Sequence, residues 1–429
     1  MIISSKSLRV ARLLFAAILI AQVIAQKPVP WDQTAKLSDP GSAAYDQFGT
    51  CVALYENTAF IYSDAGKGIV DVYQSNDNGK TWNQNRTSRL VAPNDFTGTE
   101  FGNSISAYNN TVLIGAKKDN TEQGSAYVFS TSDGGVTWNQ TQKLVAGDGA
   151  QNDLFGFSVS IFKSLAVIGA SEDDNLGTRT GSAYVFKSND YGVTWNQTAK
   201  LLASVGSQWD YFGKSVSIHK NYILIGAQGD NSGRGAAYAY RTNDGGSSWL
   251  QSPKIIAFDG ALNQYFGRSV SVYDQVALIG SKERAYLFRT ADGGGTWGFV
   301  TMLKGSDSVA GDDYGRSVFV HGTFGYEYAI VGGYLQDGGP GSAYVFQGQN
   351  RGKKWDEGRK LVQSDRGGIS GLGYSVALYG NNALVGAYAD NGNRGAAYTF
   401  ERCNKNCRQE KENQGQVFDD EDEDFCTCS

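Results

Sequence analysis

Beyond the first thirty residues, apolar and polar positions alternate in short bursts, and no stretch keeps a helical period over three turns. One set of bursts reads FGFSVSIF (Phe155 to Phe162), LAVIGA (Leu165 to Ala170), GSAYVF (Gly181 to Phe186) and TWNQTAKLL (Thr194 to Leu202). Each burst is rich in β-branched or aromatic residues and is bounded by Gly, Asn or Asp, which marks strands joined by turns. The set recurs along the chain. Its opening Phe-Gly stands at Phe48, Phe101, Phe155, Phe212 and Phe266, with the variants Tyr314-Gly315 and Leu372-Gly373 completing seven copies. A period of roughly 50–58 residues signals a repeat architecture.

Four antiparallel strands per unit, repeated radially, make a β-propeller blade. The seventh unit stops after GAAYTF (Gly395 to Phe400) and lacks the Trp-bearing fourth strand. WDQTAKL (Trp31 to Leu37), at the other end of the chain, closely matches that missing strand. The expected fold is therefore all-β: a seven-bladed propeller of four-stranded antiparallel blades, its last blade completed by the N-terminal strand. Such closure removes exposed sheet edges. It also distributes Trp31, Trp82, Trp138, Trp195, Trp249, Trp297 and Trp355 one to a blade. Gly115, Gly169, Gly226, Gly280, Gly332 and Gly386 end apolar runs, where close backbone approach is expected. Small residues, among them Cys51, follow each Phe-Gly by two positions, where a large side chain would stop neighbouring blades from nesting.

The repeat resembles the FG-GAP repeat, the blade unit of the integrin α-subunit propeller. The resemblance rests on the Phe-Gly pairs and on later triplets such as Ile114-Gly115-Ala116 and Val385-Gly386-Ala387, and it covers about residues 31–401. Integrin-type repeats often carry an Asp-x-Asp-x-Asp-Gly calcium loop between the first two strands. Here that connection is a short turn, as in Tyr108-Asn109-Asn110, so calcium binding by that loop is not carried over and no cofactor is evident. A second resemblance lies between strands three and four. SNDNGKTW (Ser75 to Trp82), TSDGGVTW (Thr131 to Trp138) and SNDYGVTW (Ser188 to Trp195) look like the Asp-box of sialidases and sortilin-type receptors, and the segments ending at Trp249 and Trp297 fit with small changes. In those families the box is a peripheral structural turn. The residues themselves support that reading: Asp caps backbone N–H groups, Gly takes the positive φ and Trp anchors the hairpin.

Composition narrows the setting. The chain has 429 residues, 55 Gly, 6 Pro and a net charge of −5, which fits one large repeat domain and gives no basic footprint for nucleic acid. Residues 1–25 read as a secretory signal, with Lys6, Arg9 and Arg12 before an apolar run and a Val23-x-Ala25 cleavage pattern. That run is short for a membrane span, so none is expected after its removal. Residues 26–402 form the propeller, and 403–429 an acidic tail expected to be disordered. Cys403, Cys407, Cys426 and Cys428 lie in that tail and can form two disulfides in an oxidising compartment. Asn85, Asn109, Asn139 and Asn196 each begin an Asn-x-Thr sequon, on turns that belong to one lower face and rim. The expected location is secreted or extracellular, with the opposite, upper face left for partners.

The upper face collects acidic residues. Asp46, Glu100, Asp153, Asp210, Asp312 and Asp313 precede the Phe-Gly positions, and Asp119, Asp174, Asp230, Asp337 and Asp390 lie in the other loop set. Oxygen ligation of a cation is one reading; turn capping, favoured by repetition in every blade, is the other. Three blades depart from the pattern by placing a cation directly after the Phe/Tyr-Gly pair: Lys214, Arg268 and Arg316. The other blades have Thr50, Asn103, Phe157 and Tyr374 there. Trp209, the one tryptophan outside the repeat, lies beside Tyr211 in an upper loop of blade four, and the loop from Ser281 to Arg284 is shortened. Cations beside aromatics in a depression suit a carboxylate-bearing sugar or an acidic peptide. Against this, each cation can simply pair with a nearby Asp such as Asp210 or Asp312. Catalytic signals are thin: the two histidines, His219 and His321, lie two blades apart, and no zinc spacing, Ser-His-Asp order or sialidase arginine triad emerges. The function expected is a non-catalytic recognition or adhesion module for an extracellular protein or glycan. A sialidase-like glycosidase and a structural coat component are the competing classes.

Overall fold

The computed structural model describes residues 30–66, 68–93, 98–323, 326–349, 352–365 and 368–402. The signal-like segment and the four tail cysteines lie outside these residues. Twenty-eight strands form seven sheets, each of four antiparallel strands. Within blade three the order is Phe155–Phe162, Leu165–Ala170, Ser182–Lys187 and Asn196–Leu201, named here A to D from the axis outward. In the seventh blade the inner strands Leu372–Tyr379, Asn382–Ala387 and Ala396–Arg402 are joined by Trp31–Leu37 as strand D. Trp31 faces Arg402 and Leu37 faces Ala397, so the first and last strands of the chain close the ring as expected. Among the described residues no helix is long and apolar enough to cross a membrane. The short turns at Asp119–Glu122, Asp230–Gly233 and Asp390–Asn393 each carry three residues of positive φ, so they are left-handed loops rather than helix.

Packing follows the repeat. The Phe of each Phe-Gly sits on strand C aromatics of its own blade: Phe101 lies 5.5 Å from Tyr127 and 6.0 Å from Phe129, Phe212 lies 5.4 Å from Tyr238, and Phe48 lies 6.2 Å from Tyr73. Each such ring, wholly buried, contributes on the order of 1.5–3 kcal/mol. The hairpin tryptophans do something else: they reach back to the preceding blade. Trp138 of blade two stands edge-on to Phe60 of blade one at 5.2 Å, and Trp297 of blade five meets Tyr222 of blade four at 5.8 Å. The turns that present them are capped by aspartate. Asp133 accepts hydrogen bonds from the Thr137 amide and hydroxyl and from the Thr131 hydroxyl, which hold its carboxyl down at about 2.

Neighbouring blades touch backbone to backbone. A Cβ on Gly226 of blade four would lie 1.9 Å from the carbonyl oxygen of Gly267 in blade five, so no side chain fits there. The small residue two places after Phe-Gly is a fastener as well as a spacer. Ser104, Ser158, Ser215, Ser269, Ser317 and Ser375 each donate a hydroxyl hydrogen bond to the Phe-Gly-type carbonyl of the next blade, at 2.7–3.0 Å. Blade one is the exception. Cys51 takes the serine position, just ahead of strand Val52–Tyr55, and Tyr62 takes the glycine position opposite it. Burial pushes the Cys51 thiol up to about 12, in keeping with an inert buried sulfur.

Candidate functional site

The propeller places the B–C and D–A loops on the upper face, where two concentric sets of charge lie. The outer set is a clip repeated blade after blade. A loop carboxylate accepts a hydrogen bond from the strand C tyrosine and pairs with a cation. In blade two Asp119 meets Tyr127 at 2.5 Å and Lys143 at 2.8 Å. Blade three uses Asp173, Tyr184 and Lys200, and blade four uses Asp230, Tyr238 and Lys254. Blade seven uses Asp390, Tyr398 and Lys36, the lysine coming from the N-terminal strand. In blade five the clip is Asp259, Tyr286 and Arg284, and in blade six Asp307, Tyr344 and Lys360. Blade one pairs Arg89 with both Asp39 and Asp71.

The acidic residues before Phe-Gly cap turns. Asp46, Asp153, Asp210 and Asp312 each accept the backbone N–H three residues earlier, at 2.6–2.7 Å. Burial raises Asp153 to about 6. Glu100 is held by Lys117 and Lys118. Asp174 caps the Arg179 amide, and Asp337 lies 3.1 Å from Lys360. The acidic cluster read from sequence is thus spent on local pairing.

The inner set stands at the channel mouth and behaves differently. Arg268 is tied off by Asp313 at 2.5 Å, so for this residue the simple ion pair is the right reading, with Asp313 as partner. Lys214 has no carboxylate partner among the described residues. Its ammonium lies 3.9 Å over the ring of Phe157 in the preceding blade and 5.7 Å from that of Tyr211. Burial, then the nearby Lys117, lowers its pKa to about 8; Arg316 and Arg179 push the same way and Glu172 opposes them. Arg316 likewise lacks a carboxylate among the described residues. It donates to the Tyr374 hydroxyl and stacks 4.4 Å from that ring. Tyr374 is packed with Tyr334 and Tyr388 at 5.2 and 4.6 Å. Trp209 is 48% exposed, packs edge-on to Tyr211, and is covered on one side by the Arg179 guanidinium at 5.0 Å.

The structure therefore brings together Lys214, Tyr211 and Trp209, adds Arg316 at the same mouth, and sets Arg268 aside. Sequence reasoning missed Lys117, Arg179, Tyr334 and Tyr388. Lys117, Tyr334 and Tyr388 follow the Gly-Ala or Gly-Gly pair that ends strand B, so comparing those positions across repeats would have found them. A separate cavity of about 410 Å³ lies between the blade-four B–C loop and the connection into blade five, beside Asp230, Arg234, Lys254, Ile256 and Phe258. Asp230 and Lys254 neutralise each other there, so it offers less unmatched charge than the mouth. The shortened blade-five loop is a two-residue turn, Lys282-Glu283, between strands Val276–Ser281 and Arg284–Arg289. All four sequon asparagines are exposed.

The FG-GAP repeat family matches residues 31–68, 82–129, 138–186, 195–240, 249–293 and 355–400. No curated protein matches the chain. Among solved structures it is similar to Saccharomyces cerevisiae Sqt1, with 11% sequence identity over 83% of each chain and a TM-score of 0.47.

Proposed function

The chain belongs to the FG-GAP repeat family, and from that membership we propose that it is a secreted, glycosylated recognition module that binds an acidic glycan at the upper mouth of its channel. The fold fits a recognition or adhesion-type module, and FG-GAP repeats are typical of extracellular proteins. The observation that carries the finer reading is Lys214: a half-buried ammonium on an aromatic face, crowded by other cations and without a carboxylate partner among the described residues. Burial disfavours a charge left unpaired. An incoming carboxylate relieves that cost, and the faces of Trp209, Tyr211 and the Tyr334–Tyr374–Tyr388 trio offer apolar surface for sugar rings. The lower rim, with its sequons, is left to glycans of the protein's own. The binding reading invokes no cofactor, and the Asp-box-like turns serve it as scaffold.

The test is a glycan array on secreted full-length protein, with K214Q and R316Q alongside and a fluorogenic glycosidase panel in parallel. Binding of uronate- or sialate-bearing glycans that is lost in K214Q supports the proposal. Binding of acidic peptides alone moves the ligand class to protein. Turnover that disappears on changing Arg268 overturns the non-catalytic reading.

A further inference from the structure

Below the cationic mouth the channel ends in a closed collar. Each blade contributes one aromatic or imidazole ring from the lower end of strand A: Tyr55, Tyr108, Phe162, His219, Tyr273, His321 and Tyr379. Consecutive centroids are 5.4, 5.0, 4.5, 4.3, 5.1 and 5.1 Å apart around this series, and the last contact, Tyr379 to Tyr55 at 4.8 Å, closes it. A seven-membered ring with such spacing has a radius under roughly 6 Å between centroids, and the inward ring edges at van der Waals contact fill more than half of it. A sugar or a peptide does not pass. Both histidines of the chain are members, and His219 is fixed there by accepting the Asp274 amide at 2.9 Å.

The mouth and the collar are set on the same stretches of chain. Lys214 stands five residues before His219 in strand Phe212–His219, and Arg316 five before His321, just ahead of strand Val318–Thr323. Five residues of strand span about 16 Å. Above lie unmatched cations, below lies a neutral seal, and between them the serine hydroxyls of strand A are committed to neighbouring blades.

We propose that the collar makes the channel a blind cup, so that the mouth takes the free end of an acidic chain and not an internal stretch. This rests on the acidic-glycan reading above. A polymer end can enter a cup about 16 Å deep and meet Lys214 and Arg316 on the way; a segment with chain continuing on both sides has no exit below.

The test uses full-length protein and oligouronates or oligosialates of increasing length in four forms: both ends free, a carrier protein on one end, a carrier protein on the other, and a carrier protein on both. Oligomers with a free end are expected to bind, and blocking both ends is expected to weaken binding at least ten-fold. Comparing the two single-blocked forms tells which end enters. Affinity is expected to stop rising once the oligomer outgrows about 16 Å. In Y108A/F162A, checked for folding by its thermal transition, that plateau is expected to move to longer chains. Equal affinity for the free and doubly blocked forms overturns the cup while leaving the acidic-glycan reading in place. No binding of any oligouronate or oligosialate overturns the reading on which the cup rests.

Discussion

Two lysines of blade four show how this molecule separates scaffold from site. Lys254 belongs to the outer clip, 2.6 Å from a buried Asp230 that also accepts the Tyr238 hydroxyl. Lys214 belongs to the inner mouth and has an aromatic ring where Lys254 has a carboxylate. The outer arrangement recurs with the same three kinds of group in six blades. The inner position changes identity from blade to blade. Repetition marks what every blade needs in order to stand beside its neighbours; departure from the repeat marks what the ring as a whole does.

The comparison can be broken at several points. The largest effect is expected at the blade contact itself. Gly226→Val forces a side chain against the Gly267 carbonyl, and a loss of more than about 3 kcal/mol in chemical denaturation, or failure to fold, is the expected outcome. Acid comes next. Burial holds His219 and His321 at about 4, below their ordinary value of 6.5. Around His219, Asp274 opposes that shift, while Lys220, Lys163 and His321 reinforce it. The unfolded chain therefore binds more protons than the folded one between these values. The stability these groups give is full above about pH 6.5 and is lost as the pH falls toward 4, by about 2 kcal/mol or more for each histidine. H219F/H321F should flatten the melting temperature across that window, since Phe162 already serves in the collar. A wild-type transition that does not move between pH 7 and 4.5 would refute this account of the collar.

Smaller effects follow in the clips and in the one irregular blade. Asp230→Ala leaves the Tyr238 hydroxyl and Lys254 without their partner and should cost about 1–3 kcal/mol, with glycan binding unchanged. Cys51→Ser restores the residue that fastens the other six blades, and a change within about 1 kcal/mol is expected, in the stabilising direction. A destabilised C51S would show that Tyr62 has reshaped that contact beyond repair.

Much of this was legible in the sequence because a propeller writes its geometry seven times. The Phe-Gly spacing gave the blades, and WDQTAKL gave the closure, since a strand missing from one end and present at the other has one economical place to go. The acidic residues of the upper face were correctly read as mostly structural, because Asp at a fixed place before Phe-Gly is a turn cap. The partners were harder. Arg268 chose Asp313, on the next blade, rather than Asp312, and Asp210 caps the Ser207 amide and makes no pair with Lys214. The serine fasteners read only as small residues, because the carbonyl they bind lies one whole blade away, across the ring closure in the case of Ser375 and Gly49. The collar was invisible for the same reason: Tyr, Phe and His at strand ends look unrelated until the ring brings them side by side.

Blade four holds both kinds of lysine and so offers the sharpest measurement. Full-length wild type, K214Q and K254Q should be titrated with one oligouronate, with the thermal transition recorded for each. K214Q is expected to lose binding at least ten-fold and melt like wild type, while K254Q binds like wild type and melts lower. K214Q with intact binding, or K254Q with binding lost and stability kept, would contradict the division between scaffold and site.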